Sequence, residues 1–179
     1  AEAILDQQIN VTIITNSLLI CSLCNEQASN INLICLGGSF RRRTSSFTGF
    51  HTTAALDRYC ADKAFLSCPK VTLERGMSDN HLNESLVREA MLAHAQQKIL
   101  LMDHTKFGPD TNILFGDLKQ IDAIITDDRL SPDWEQFCTQ NHIRIDYCDT
   151  VVAAAPAPEA QEEPAPPEPK PARHSRAKS

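Results

Sequence analysis

Residues 98–108 read KILLMDHTKFG, and the reading of this stretch decides the fold. Ile99, Leu100, Leu101 and Met102 run without interruption and stop on Asp103, with His104, Thr105, Lys106 and Gly108 close behind. Continuous rather than alternating apolarity marks a strand covered on both faces, as in a parallel sheet. In open sheets of that kind, ligands sit beyond the carboxyl ends of the strands. A carboxylate, a hydroxyl and an ammonium at such an end form a candidate anion clamp.

Working outward, the same composition recurs. NVTIIT (10–15), INLICL (31–36), KAFLSC (63–68), DAIIT (122–126) and IRIDYC (143–148) are further short runs rich in Ile, Val and Leu. Helical patterns lie between them. LNESLVREAMLAHAQQ (82–97) repeats apolar residues at helical spacing, with Asp79, Asn80 or Asn83 available as N-cap. SPDWEQFCTQN (131–141) offers Ser131 as N-cap and Pro132 at the first helical position, where proline is tolerated. Strands alternating with helices predict an α/β fold: a Rossmann-like, mostly parallel sheet flanked by helices.

The bulk numbers narrow the function. A net charge of −6 argues against a whole-chain nucleic-acid footprint. No stretch approaches the roughly 18 apolar residues of a membrane span. Seven cysteines, an odd number, are scattered, several of them inside apolar runs, which suits a reduced cytoplasmic protein better than a disulfide framework. From Val151 onward the composition changes: residues 151–179 hold seven of the ten prolines and almost no large apolar side chain. Such a segment cannot offset its ordering entropy, so a disordered tail is expected. Its four glutamates precede its four Lys and Arg residues and cancel them, which leaves the net charge to residues 1–150. A solubilising tail is the simpler reading; contact of the basic end with nucleic acid is the other.

Placed at strand ends, four polar stretches stand out. Thr15, Asn16 and Ser17 follow the first strand and open a helix, which makes them either an anion site or an N-cap. LGGSFRRRTSSFTG (36–49) follows the second strand, with Gly37 and Gly38 permitting close backbone approach and Arg41, Arg42 and Arg43 supplying charge. It lacks the GxGxxG spacing and the acidic ribose reader of a dinucleotide site, and a solvated turn explains it equally well. LERGMSDNHLNE (73–84) is read as a loop with Gly76 at positive φ, leading to Glu84 in the first turn of the longest helix, where a carboxylate favours the helix dipole. The fourth is the DHTKFG of the opening stretch. CSLC (21–24) has CxxC spacing but falls inside a helix without a second pair for zinc, so a structural role is expected and no metal or cofactor is assigned.

The order of VTIITNSLLI, INLICLGGSFRRRTSSFTG, DKAFLSCPKVTLERGMSDNHLNE, ILLMDHTKFG and IDAIITD resembles the C-terminal effector domain of DeoR-family bacterial transcription regulators over roughly residues 9–148. The resemblance implies a fold similar to ribose-5-phosphate isomerase and the aminosugar-phosphate deaminases, with a phosphorylated sugar as effector and a homo-oligomer as the working state. It places Thr15, Asn16 and Ser17 at the phosphate end of the pocket, Gly37, Gly38 and Arg41 along its wall, Glu84 and Asp103 facing sugar hydroxyls, and Lys106 on an anionic group. Two departures follow. Where the related enzymes carry an acidic cluster this chain has CPK (68–70), so binding without catalysis is expected, a sugar-phosphate isomerase or deaminase being the alternative. The chain also opens on AEAILDQQ, already helix-like and without Met. Residues 1–150 are therefore read as an effector-binding domain lacking its first strand and phosphate loop. Operator DNA would be reached only through a helix-turn-helix absent from this chain, and a non-functional truncated remnant is the third reading.

Overall fold

The computed structural model describes residues 9–27, 30–109 and 111–148. The opening residues and the proposed tail at 151–179 lie outside the described residues. β1 (Val11–Thr15), α1 (Leu18–Gln27) and β2 (Ile31–Cys35) come first, followed by β3 (Ser39–Arg41), β4 (Ser46–Thr48), α2 (Phe50–Leu56) and β5 (Ala61–Leu66). Next are β6 (Lys70–Thr72), β7 (Gly76–Asp79), α3 (Leu82–Ala93) and β8 (Ala95–Leu101). β9 (Ile113–Gly116), β10 (Ala123–Thr126), α4 (Pro132–Gln140) and β11 (Arg144–Tyr147) complete the order.

The six expected strands are all present and all parallel. β1 pairs with β2, and a larger sheet runs β11-β10-β8-β5, with Leu100 in register with both Leu66 and Ile124. The fold is Rossmann-like, as the alternation of strands and helices predicts. Its core is built from Leu66, Leu100 and Ile124 of this sheet, joined by Leu92 of α3 and Cys138 of α4. The other face of the same strands is more open: Phe65 is 47% exposed and Leu101 39%. Full cover on both faces is therefore not what the described residues show.

Two other expectations are corrected. The helical pattern at 82–97 ends at Ala93, because Ala95–Gln97 join the ladder with β5 from Ala61 onward and find their backbone partners there. Residues 76–79, read as part of a loop, form β7 in an antiparallel sheet ordered β6-β7-β9. Gly76 does have positive φ, +77°, and a Cβ there would run into the Gly116 carbonyl of β9. That close approach is why glycine is required. CSLC lies within α1 as expected, and Pro132 opens α4 behind Ser131 at the N-cap.

Candidate functional site

The rim of the parallel sheet is built from the residues that follow β5 and β8. Asp103 caps a short 3-10 turn at His104–Lys106 by accepting from the Thr105 backbone N–H at 3.1 Å and from the Thr105 hydroxyl. This turn folds Lys106 back, so that its Nζ lies 3.3 Å from Asp103 Oδ2 and donates to Ser67 Oγ at 3.1 Å. Partial burial would raise the Asp103 carboxyl, but hydrogen bonds from Thr105 and Lys106, with the Lys106 charge, outweigh it and hold the group below its usual range.

Ser67 is met from the other side by Arg88 of α3, whose Nε donates to the Ser67 carbonyl at 2.7 Å. The same guanidinium pairs with Asp79 at the end of β7 and lies 3.8 Å from Glu84 Oε2, one turn earlier on α3. Glu84, only 6% exposed, turns its Oε1 to Thr44 Oγ1 and Ser46 Oγ, both at 2.8 Å, with Arg41 Nη1 at 3.7 Å. Thr44 and Ser46 lie 2.7 Å apart, and two hydroxyl protons can serve only two of these three contacts. A single chain of polar contacts thus runs Asp103–Lys106–Ser67–Arg88–Glu84–Ser46, and Ser46 bridges to Ser17 through the backbone.

The remaining residues singled out from sequence are engaged in the fold itself. Thr15 Oγ1 is buried and accepts from Ser17 N at 3.1 Å, while Ser17 Oγ accepts from Ile20 N at 3.4 Å at the start of α1. Asn16 clamps β4, its Nδ2 donating to the Phe47 carbonyl at 2.9 Å and its own carbonyl accepting from Phe47 N at 2.8 Å. Gly38 has φ +143°, and a Cβ there would lie 2.7 Å from the Thr48 carbonyl and closer still to the Thr52 hydroxyl. Its close approach is to its own fold. Gly37 is different: a Cβ there would meet open space. Of the arginine run, Arg41 turns toward Glu84, while Arg42 and Arg43 are exposed.

Sequence reasoning passed over Ser46, Ser67, Asp79 as an ion-pair partner, and Arg88. The Glu84–Arg88 spacing of four residues on one helix was a usable signal; nothing local marked Ser67, whose partners are 21 and 39 residues away. A second polar pair sits on the same rim. His104 N and Nδ1 lie 2.6 and 2.9 Å from the two carboxylate oxygens of Asp127, after β10. That hydrogen bond, and then the Asp127 charge, raise the imidazole above its ordinary range. Two of the cysteines are poor nucleophiles by comparison. Burial pushes the Cys68 thiol up to about 11, and burial together with the hydrogen bond that the Cys21 thiol gives to Cys35 does the same to Cys21. Among the described residues no cluster of three or more His, Cys, Asp or Glu is arranged to hold a metal ion, and no helix is long and apolar enough to cross a membrane.

Comparison with known proteins adds the context. A sequence model of the DeoR C terminal sensor domain matches residues 1–128. The HTH-type transcriptional regulator IolR of Bacillus subtilis is 36% identical over 141 residues, which cover 79% of this chain and 56% of IolR. The deoxyribose operon repressor of Escherichia coli is 27% identical over 143 residues, 80% of this chain and 56% of that protein. The HTH-type transcriptional repressor GlcR of Bacillus subtilis is 29% identical over 119 residues, 66% and 45% respectively. The chain spans about half the length of these curated relatives. With the parallel sheet, the order of its motifs and the extent of these matches agreeing, the chain belongs to the DeoR C-terminal sensor domain family.

Proposed function

We propose that this chain is the sensing part of a transcriptional regulator, that it takes a phosphorylated sugar at the rim after β5 and β8, and that it does so without catalysis. The observation that carries the reading is the convergence of Lys106 and Arg88 on Ser67, with Asp103, Asp79 and Glu84 alongside. Cations suit a phosphate, and carboxylates accept from sugar hydroxyls. Asp103 and Lys106 contact the ligand directly in this reading. Thr15, Asn16 and Ser17, whose side chains are held by the fold, stand with Gly37, Gly38 and Arg41 as the far wall of the pocket, the open space beside Gly37 being the part of that wall with room. Glu84 serves by fixing Arg41 and Arg88, since its buried Oε1 is already occupied by two hydroxyls.

That occupation also argues against turnover. An isomerase needs a base within reach of the substrate's acidic proton, and Glu84 is neither free nor accessible. The whole regulator would read operator DNA through a helix-turn-helix region, as the names of the relatives imply, and would act as a homo-oligomer. Effector binding then shifts DNA affinity only by the difference in its affinity for two states of that assembly. Operator affinity of the full regulator, measured with ribose 5-phosphate, glucose 6-phosphate and glucosamine 6-phosphate and with the unphosphorylated sugars, tests this. One phosphosugar should shift the affinity and lose that effect in Lys106→Met. Indifference to every phosphosugar would remove the reading, and turnover abolished by Glu84→Gln would replace it with an enzyme.

A further inference from the structure

Two thiols that the sensor reading leaves unused, Cys21 and Cys35, meet within the β1-α1-β2 unit, and the topology is what brings them together. β1 and β2 are parallel, with Thr15 in register with Cys35 and Leu36 N donating to the Thr15 carbonyl at 2.8 Å. The carboxyl end of β2 therefore lies beside the carboxyl end of β1, where α1 begins. Cys21 stands in the first turn of α1, its N–H donating to the Ser17 carbonyl at 3.1 Å. Across this junction the Cys21 thiol donates a hydrogen bond to Cys35. Cys35 is exposed, Cys21 half-buried, and Cys24, one turn further along α1, is buried. The CxxC spacing is thus misleading about the partner. Residues three apart on a helix hold their Cβ atoms about 5–6 Å apart, whereas a disulfide needs about 3.5–4.5 Å. Cys21 and Cys24 cannot close without unwinding α1, while Cys21 and Cys35 sit on separate elements that can approach.

We propose that Cys21 and Cys35 are a reversible dithiol site, oxidised by a hydroperoxide to a disulfide that fastens the start of α1 to the end of β2. Exposed Cys35 meets the oxidant first. Once deprotonated, its sulfur attacks the peroxide O–O bond, takes one oxygen as a sulfenic acid, and for hydrogen peroxide releases the other as water. The Cys21 sulfur then attacks the Cys35 sulfur: the S–S bond forms, the S–O bond breaks, and the hydroxyl leaves as a second water with the Cys21 proton. Two thiols are oxidised by two electrons and one peroxide is reduced by two. The order of events suits the two environments. Burial, then the hydrogen bond to Cys35 and the Cys35 charge, push the Cys21 thiol up to about 11, so it rests protonated and is spared direct oxidation. After Cys35 becomes a neutral sulfenic acid, its charge no longer opposes a Cys21 thiolate, and the second step follows. A dithiol reductant reverses the closure, since an exposed bridge is open to thiolate attack. The bridge would tie Cys35, next to Leu36 and Gly37, to the turn that follows Ser17. The thiol chemistry itself does not depend on which effector the domain reads.

Peptide mapping tests the pair directly. The full chain is treated with hydrogen peroxide, its remaining thiols are blocked with N-ethylmaleimide, and it is cut after Glu26 and Arg41. Those cuts leave Cys21 and Cys24 on one fragment and Cys35 alone on the next. The two fragments should travel together until dithiothreitol separates them, and Cys24→Ala should close as the parent does. Cys21→Ser should instead hold Cys35 as a sulfenic acid that dimedone traps, a species the parent does not accumulate. Because the fold sets the two sulfurs side by side, closure should be at least about ten-fold faster in the native chain than in urea. Fragments that separate without reduction would overturn the proposal. A bridge that survives Cys21→Ser would do so too, by assigning Cys35 to Cys24, as would closure that is equally fast in urea or that appears only in covalent dimers.

Discussion

Ser46 and Glu84, 38 residues apart, meet at 2.8 Å and tie the β3–β4 hairpin to the first turn of α3. Both are buried, so this contact fixes Arg41 and Arg88 relative to one another, one on each side of the carboxylate. Removing the carboxylate leaves two hydroxyls and two guanidinium groups short of an acceptor. Glu84→Ala should therefore cost about 2–4 kcal/mol, and Ser46→Ala about 1–2 kcal/mol, since it leaves Thr44 as a donor. Urea unfolding midpoints check both. An unmoved midpoint in Glu84→Ala would show that the contact holds nothing together.

The two adjacent glycines of the second strand's loop should behave oppositely. At Gly38 a methyl group would press on the Thr48 carbonyl and on the fully buried Thr52 hydroxyl, at a φ of +143° that side chains rarely adopt. Gly38→Ala is expected to destabilise by about 2–4 kcal/mol, strain and overpacking together. Gly37→Ala adds its methyl to open space and should stay within about 0.5 kcal/mol. If effector lines this wall, Gly37→Ala instead changes ligand affinity. Paired thermal unfolding and ligand titration of the two variants separates structure from binding.

The glycine pair also shows what the sequence makes legible. Parallel strands are readable because each is a continuous apolar run, and α3 and α4 because their patterns are helical. β3, β4, β6, β7 and β9 carry only three or four residues each, too few for a period to declare itself. The boundary at Ala93 was missed for a related reason: AQQ suits a helix locally, and the ladder with β5 overrides it. At the site, Asp103, Lys106 and Glu84 announce themselves by position at strand ends and helix starts. Ser67 and Ser46 do not, since their roles exist only through partners distant in sequence.

His104 and Asp127 make stability depend on pH in a defined window. The imidazole is raised by the Asp127 hydrogen bond, so its contribution is complete below the ordinary histidine pKa and fades as pH rises through the folded value. Asp127 is lowered by the same bond, so its share is complete above the ordinary carboxylate range and fades as pH falls. The pair therefore acts in full between the ordinary carboxylate and histidine values, and is lost on the acid side through the lowered Asp127 and on the alkaline side through the raised His104. NMR titration should place the His104 midpoint above 6.5 and return it to the ordinary range in Asp127→Asn. An unchanged midpoint in that variant would rule out the pair as the cause.

Lys106 allows sensing and stability to be told apart. Its side chain is 33% exposed and that of Asp103 41%, so the ion pair between them is screened and worth about 0–1 kcal/mol. Lys106→Met keeps the length and apolar stem while removing the charge, and unfolding should move little. Two other quantities should move. The Asp103 carboxyl, held low in part by Lys106, should rise toward its ordinary value, which carboxyl NMR titration reads directly. Phosphosugar affinity should fall at least about ten-fold, the scale of one charge-assisted hydrogen bond to phosphate. A variant that binds as well as the parent while Asp103 still shifts would leave Lys106 a purely local partner of Asp103, and the phosphate would have to be sought beside Arg41 and Gly37.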